Sequence, residues 1–348
     1  MTVLAHGERL DLVPTVLAEY GERTRVHLCR YLTPREPRRH LYNMVADYPR
    51  RGGRMLRPSL LIATARAFGA SLEDAIGSAT ALELLHNGFL VHDDVEDESD
   101  SRRGRPTLHA LHGVPVAVNV GDALTVVGLR ALIDNHQRLG ASLALQILAE
   151  AERMARDCVE GQAIELGWRR DNILELSDAD YLEMVLKKTC SYTTIFPLRV
   201  GALIGSRGAA NLDHFLRFGF FLGAAFQIQD DILNLEGNEK AYGKELSGDL
   251  WEGKRTLMLI HVLRECTHEE RAKLDHFLSL PRRHRETGTV SWVQQLLHRY
   301  GAVEATVQIA HSLAGAARHE ADLLLRDLKD SRDADFLRTL PNWVLARS

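Results

Sequence analysis

Apolar and small residues recur at helical spacing through nearly the whole chain, and alternating runs bounded by turn signals are scarce. That periodicity predicts roughly a dozen helices packed as an all-α bundle. Ser71 is placed to cap a long helix running through Asp93, and Ser177 with Asp178 to cap the one entering Tyr181. Pro197 falls inside the apolar run after Lys188, so a kink is expected there. Gly104-Arg105-Pro106 and Gly113-Val114-Pro115 punctuate the exit from the Asp93 helix. No repeat or linker interrupts the 348 residues, which are long enough to bury a sizeable core, and residues 1–348 read as one domain. The basic stretch 281–290 reads as a solvated loop within it.

The Asp93 helix carries Ala81, Leu84, Leu85 and Gly88 on a small or apolar face and then places Asp93, Asp94, Glu96, Asp97, Glu98 and Asp100 almost end to end. Asp93 and Asp97 stand four apart, so both carboxylates leave one face of the helix a turn apart. Like charges at that spacing repel by roughly 0.2–0.5 kcal/mol per pair, which a purely structural helix has no reason to accept. A divalent cation reverses the sign of that interaction. Mg²⁺ is usually held by one or two carboxylates plus substrate phosphates. Arg102 and Arg103, just beyond, are placed to meet phosphate oxygens. Far downstream, Gln227-Ile-Gln-Asp230-Asp231-Ile-Leu-Asn234 repeats the pattern on another apolar helix. Two such helices facing across a cavity could share metal ions around one diphosphate.

Charge and cysteine content narrow the remaining classes. A net charge of −4 offers no electrostatic ground for a nucleic-acid partner. The four cysteines lie far apart without a CxxC, so neither a disulfide framework nor a zinc site is indicated, and a reduced, cytoplasmic compartment fits. The first ten residues lack the features of a signal peptide. Val114 to Leu132 is the most apolar stretch, but Asn119, Asp122 and Arg130 break it, and no membrane span is expected.

The motifs in combination resemble the all-trans isoprenyl (polyprenyl) diphosphate synthase family from about Gly52 to Lys254. They are Gly52-Gly-Arg-Met-Leu-Arg-Pro58, Asp93–Asp97 with Arg102-Arg103-Gly104, Gly161-Gln162, Lys188-Thr189, Phe226-Gln227, Asp230-Asp231, Gly243-Lys244 and Glu252-Gly-Lys254. The wording around Leu85-His-Asn87 and Asp93–Ser99, and Asn234 in place of a third aspartate, lean towards geranylgeranyl diphosphate synthases. The resemblance implies the isoprenoid synthase type I fold, a helical bundle around a central apolar cavity. It also implies head-to-tail condensation of isopentenyl diphosphate with an allylic diphosphate, with the all-trans C20 geranylgeranyl diphosphate as the expected product. Three Mg²⁺ ions with bound diphosphate, and a homodimer formed through the helices around 110–135, belong to the same expectation.

By the same resemblance, Asp93, Asp94, Asp97, Asp230 and Asp231 form the metal set, with Asn234 left open. Arg54, Arg57, His86 and Arg103 match the family's pocket for isopentenyl diphosphate; Arg54 stands where the family usually has lysine, exchanging a point charge for a fork. Arg102, Lys188, Lys244 and Lys254 match the cations around the allylic diphosphate. Thr189 and Gln227 match residues whose neutral oxygens can face a carbocation without capturing it. Phe89 and Gly88 lie about 6–7.5 Å below Asp93 along the helix and are expected to set product length, the ring as floor and the glycine as space beside it. A farnesyl synthase, a synthase of C25 and longer chains, or a non-catalytic subunit are the alternatives. A class I terpene cyclase would share the first acidic motif but normally lacks the Gly-Gly-Lys/Arg and Arg-Arg-Gly segments.

Overall fold

The computed structural model describes residues 11–237 and 247–347. Lys244, expected in the substrate site, lies outside the described residues. The principal helices are α1 (Leu12–Leu28), α2 (Leu56–Ala67), α3 (Leu72–Glu96), α4 (Val114–Asp134), α5 (Ala141–Arg170), α6 (Asp178–Val185), α7 (Phe196–Gly205) and α8 (His214–Glu236). They continue as α9 (Gly248–Glu252), α10 (Leu257–Glu265), α11 (His268–Ser279), α12 (Thr287–Arg299), α13 (Ala302–Leu324) and α14 (Arg332–Leu345). One antiparallel hairpin, β1 (Ser101–Arg102) with β2 (Arg105–Pro106), follows α3.

Helix α3 is the axis of the molecule. Ser71 opens it with a capping box: its hydroxyl accepts from the Asp74 amide, and the Asp74 carboxylate accepts from the Ser71 amide at 3.1 Å. Every residue from Ser78 to Gly88 is buried, so the helix is enclosed on all sides rather than amphipathic. Leu82, Leu84 and Leu85 there each contribute about 1.5–3 kcal/mol by leaving water. Helix α4 packs along α3, α2 packs on α7, and α13 on α8. The helix α8 belongs to both apolar clusters, through Phe215, Phe218 and Leu222 on one and Ala224, Ile228 and Ile232 on the other.

Two local expectations change. Residues Leu186–Ile195 form a π-helix, and Pro197 sits in the first turn of α7 that follows it. The missing amide of proline costs nothing in a first turn, so the irregularity falls before Pro197 instead of at it. The stretch 281–290 is not a solvated loop throughout. Helix α12 starts at Thr287, and Arg285 is buried with its guanidinium donating to the carbonyls of Leu250, Trp251, Phe277 and Leu278.

Val114–Leu139, α4 with the short helix that follows it, is the one helical stretch among the described residues long and apolar enough to cross a membrane, with mean hydropathy 1.6 and 39% of its most apolar 18 residues buried. Two charges among apolar turns leave the average high, so Asp122 and Arg130 do not disqualify it. Val114, Val118, Val126, Leu129 and Ile133 form an exposed apolar stripe along it.

Candidate active site

The C-terminal half of α3, the π-helix and α8 enclose a cavity of about 600 Å³. Helix α5 forms a further wall and packs closely on the π-helix at Gly161, where a Cβ would stand 2.2 Å from the Lys188 amide nitrogen, so no side chain fits. Asp93 from α3 and Asp230 and Asp231 from α8 line the cavity, as do Lys188 and Lys254. The two acidic motifs therefore meet one space.

Asp93, Asp97 and Asp230 are each paired with cations. Asp93 pairs with Arg102 at 3.2 Å and Lys188 at 3.5 Å. Asp97 is buried between Arg169 and Lys254, whose ammonium lies 2.8 Å away. Burial alone would raise its pKa, but Lys254 and the other cations outweigh that and hold it below the usual carboxylate range. Lys254 also reaches Glu252 at 2.6 Å, so it is no exposed loop lysine. Lys188 pairs with Glu165 at 2.5 Å. Although burial disfavours charge on both lysines, Glu165 for Lys188 and Asp97 for Lys254 push their pKa values up, and both stay cationic at neutral pH. Asp230 pairs with Arg347 at 2.9 Å, and that guanidinium lies 3.9 Å over the Phe226 ring.

A polar chain lines the wall between Lys188 and α8. The Thr189 hydroxyl donates to the Gln227 amide oxygen at 3.0 Å, and the Gln227 amide nitrogen donates to Asp231 at 2.7 Å. Tyr181 donates its hydroxyl to the other Asp231 oxygen at 2.7 Å. Burial, with Asp249 nearby, pushes Asp231 up to about 8.

At the other end Arg54, Arg57, His86 and Arg103 line the cavity together, though they come from three separate segments. The Arg57 guanidinium donates to Tyr192 at 2.8 Å, to Thr193 at 2.9 Å and to His86 Nε2 at 3.3 Å. Arginine can only donate, so Nε2 accepts, and a neutral His86 carries its proton on Nδ1. Burial first, then Arg57, hold the His86 pKa well below the usual value and keep the ring neutral. Its Nδ1 and the Arg57 Nε are buried without a hydrogen-bond partner among the described residues. Two spare donors in a basic corner suit an anionic ligand.

Two expected residues, Asp94 and Gly88, stand elsewhere, as does Asn234, and Asp97 lines a small adjoining pocket with Ser99, Asp249 and Glu252 rather than this cavity. Asp94 is turned away from the cavity, its carboxylate taken by Arg102 and by the Tyr48 hydroxyl, so it braces the hairpin instead of facing a metal. Gly88 does not open space beside Phe89. A Cβ there would meet the Gly121 carbonyl and Thr125 Oγ1 at 3.1 Å, so the glycine lets α3 approach α4. Asn234 uses its side-chain oxygen to accept from the Asp249 amide at 3.1 Å, capping α9. Phe89 does line the cavity, edge-on to Tyr192 with centroids 5.8 Å apart.

Glu165, Arg169, Tyr181, Tyr192 and Arg347 were not singled out by the sequence reading. Glu165 and Arg169 follow Gly161 at helical intervals of four, a signal the periodicity carried. Nothing local pointed to Tyr181 or Arg347, whose partners lie 50 residues or more away.

A profile of the polyprenyl synthetase family matches residues 38–297. The chain belongs to that family. Among curated polyprenyl synthetases and their relatives, a short chain isoprenyl diphosphate synthase of Methanothermobacter thermautotrophicus is 31% identical over 85% of this chain and 87% of its own. A geranylgeranyl diphosphate synthase of Sulfolobus acidocaldarius is 34% identical over 63% of this chain and 66% of its own. The crystal structure of a geranylgeranyl pyrophosphate synthetase from Pyrococcus horikoshii superposes with TM-score 0.82 at 27% identity, covering 96% of this chain and 99% of that one. A polyprenyl synthase from Caulobacter crescentus, solved with calcium and isoprenyl diphosphate, gives the same TM-score at 26% identity, over 96% and 98%. The fold of this polyprenyl synthetase is thus the all-α one that its helices build.

Proposed function

We propose that this polyprenyl synthetase is a prenyltransferase that condenses isopentenyl diphosphate head-to-tail with an allylic diphosphate, giving an all-trans prenyl diphosphate. The observation that carries the reading is one cavity bounded by both acidic motifs and by the Arg57–His86 corner. Both motifs reach it, which favours a catalyst over a non-catalytic subunit. Purified protein incubated with isopentenyl diphosphate, Mg²⁺ and allylic primers of ten, fifteen and twenty carbons should give longer prenyl diphosphates. A product that is cyclic, or no product with any primer, overturns the reading.

The donor set fits Mg²⁺, a hard cation that takes carboxylate oxygens and keeps room for phosphate. No three His, Cys, Asp or Glu side chains of the described residues come together closely enough to hold a cation by themselves. Carboxylates spread over two walls suit an ion completed by the substrate's own oxygens. Asp93 on one side and Asp230 and Asp231 on the other would hold the Mg²⁺ ions, with Asp97 joining them from the adjoining pocket, and three such ions would supply positive charge against the allylic diphosphate. Lys188, Lys254 and Arg102 are cationic beside the same space, and they stabilise negative charge as it grows on the leaving diphosphate. The Thr189–Gln227 pair presents neutral oxygens towards the allylic cation. Arg54, Arg57, His86 and Arg103 hold the second diphosphate, so that the isopentenyl alkene meets that cation. The C–O bond breaks to release diphosphate and leave the allylic cation, the isopentenyl alkene forms the C–C bond to it, and the released diphosphate takes the proton that the condensed isopentenyl unit loses.

Product length rests on Phe89. We assign it the cavity floor and favour geranylgeranyl diphosphate, although curated relatives also include an octaprenyl diphosphate synthase of Haemophilus influenzae at 33% identity. Phe89→Ala should lengthen the main product as resolved by chromatography, and an unchanged distribution from active enzyme moves the floor elsewhere. Gly88→Phe does not test length, because the ring would have to displace α4.

The stripe Val114–Ile133 is proposed as a homodimer face. Sedimentation of the protein should give a dimer, and a monomer at every concentration removes the proposal. The four free cysteines support a reducing, cytoplasmic setting, and the two clusters sharing α8 support one domain.

A further inference from the structure

We infer that Arg51 is a positioning residue that holds the β1–β2 hairpin so that Arg103 points into the diphosphate corner. The hairpin joins Arg102 to Arg105 through only two residues, Arg103 and Gly104, with φ of 54° and 71°. Two consecutive positive φ angles define the tight turn that normally selects asparagine, aspartate or glycine at its first position. Arg103 occupies that position instead. A long side chain in the left-handed region persists only where its surroundings over-determine it, and such residues cluster at functional sites.

Arg51 supplies that constraint from outside the hairpin. Its side chain is 1% exposed and its guanidinium donates to the carbonyls of Arg102 at 3.1 Å, Arg105 at 3.4 Å and Pro106 at 2.8 Å. One planar group thus fastens both strands on either side of the turn. The Asp47 carboxylate orients it, accepting from Nε at 2.8 Å, and the Tyr48 ring lies 4.4 Å beneath it. Arg102 is held independently by Asp93 and Asp94. Arg103 has the Tyr48 carbonyl at 3.4 Å and lies where a Cβ on Gly53 would be only 2.7 Å from it, so its direction follows the turn. Lysine at position 51 keeps the charge but has no fork to span three carbonyls and a carboxylate.

This inference rests on the proposed role of Arg103 towards isopentenyl diphosphate, and the test separates the two. Arg51→Lys, Asp47→Asn and Arg103→Ala are measured in the full-length enzyme with isopentenyl diphosphate and farnesyl diphosphate varied in turn, alongside hydrogen exchange of the peptide 99–107. Arg51→Lys should raise KM for isopentenyl diphosphate about tenfold or more, leave KM for the allylic substrate within about threefold, and speed exchange in the hairpin alone. Asp47→Asn weakens the carboxylate that orients Arg51 and also that carboxylate's own pair with Arg105 at 3.0 Å, so Arg105→Ala is measured beside it; Asp47→Asn should give a smaller rise in the same direction and Arg105→Ala none, and the two decide by the same readings if Arg51→Lys does not fold. If Arg103→Ala raises KM for isopentenyl diphosphate but neither Arg51→Lys nor Asp47→Asn does, the inference fails while the substrate reading stands. Should Arg103→Ala leave that KM unchanged, the substrate reading fails and takes the inference with it. Equal rises in both KM values with a lowered unfolding midpoint would make Arg51 a general brace, and overturn its positioning role.

Discussion

Asp93→Ala and Asp230→Ala should each lower turnover by about 10³-fold or more, because charge stabilisation by a bound metal is worth several kcal/mol and each 1.36 kcal/mol is tenfold in rate. The two residues stand on different helices, α3 and α8, yet line the same cavity. A diphosphate shared between them loses one wall of its metal shell when either is removed. Neither side chain is in the packed core, Asp93 being 23% and Asp230 33% exposed, so the helical circular dichroism should be unchanged. Near-wild-type turnover by either folded variant in Mg²⁺ would falsify the two-motif mechanism. Raising Mg²⁺ should recover part of the loss for a weakened ligand and none for a residue that acts otherwise.

Asp94→Ala should behave in the opposite way, lowering stability by about 3 kcal/mol in urea unfolding, since the buried Arg102 then keeps only Asp93, at 3.2 Å, as its counter-ion. Arg102 is 7% exposed, and the Asp94 carboxylate, itself 1% exposed, takes its guanidinium and the Tyr48 hydroxyl together. Burial alone would lower the Arg102 pKa, but Asp94 and then Asp93 raise it, so the guanidinium remains charged and needs its counter-ion. Asp94→Asn keeps an acceptor for Tyr48 and should cost less. A stable Asp94→Ala protein that responds to Mg²⁺ as Asp93→Ala does would return Asp94 to the metal set.

These neighbouring aspartates mark how far local pattern reading reaches. A spacing of four puts Asp93 and Asp97 on one face of a helix, and that inference needs no partner. Which way Asp94 points depends on Tyr48 and Arg102, one of them 46 residues away, and no local period encodes it. Gly88 fails for the same reason. The absence of a side chain was legible, but whether the gap opens on the cavity or on α4 is decided by the rotation of α3 against its neighbours.

The family resemblance named most of the basic and neutral residues of the site, while the residues by themselves determined the helical class, the capping of α3 by Ser71 and the two acidic motifs with Arg102 and Arg103 beside the first. Those features follow from backbone periodicity and from chemistry carried within a few residues, and both survive in a one-dimensional string. Tertiary structure alone decided that Asp93 and Asp230 bound one space, that Arg57 and His86 keep donors unpaired among the described residues, that Arg285 is buried, and that Arg51 clamps a turn half a hundred residues downstream. Each of those is a contact between segments far apart in the chain. Its existence depends on how α3, α4 and α8 rotate and approach when their apolar faces are packed, and that geometry belongs to no single stretch of residues.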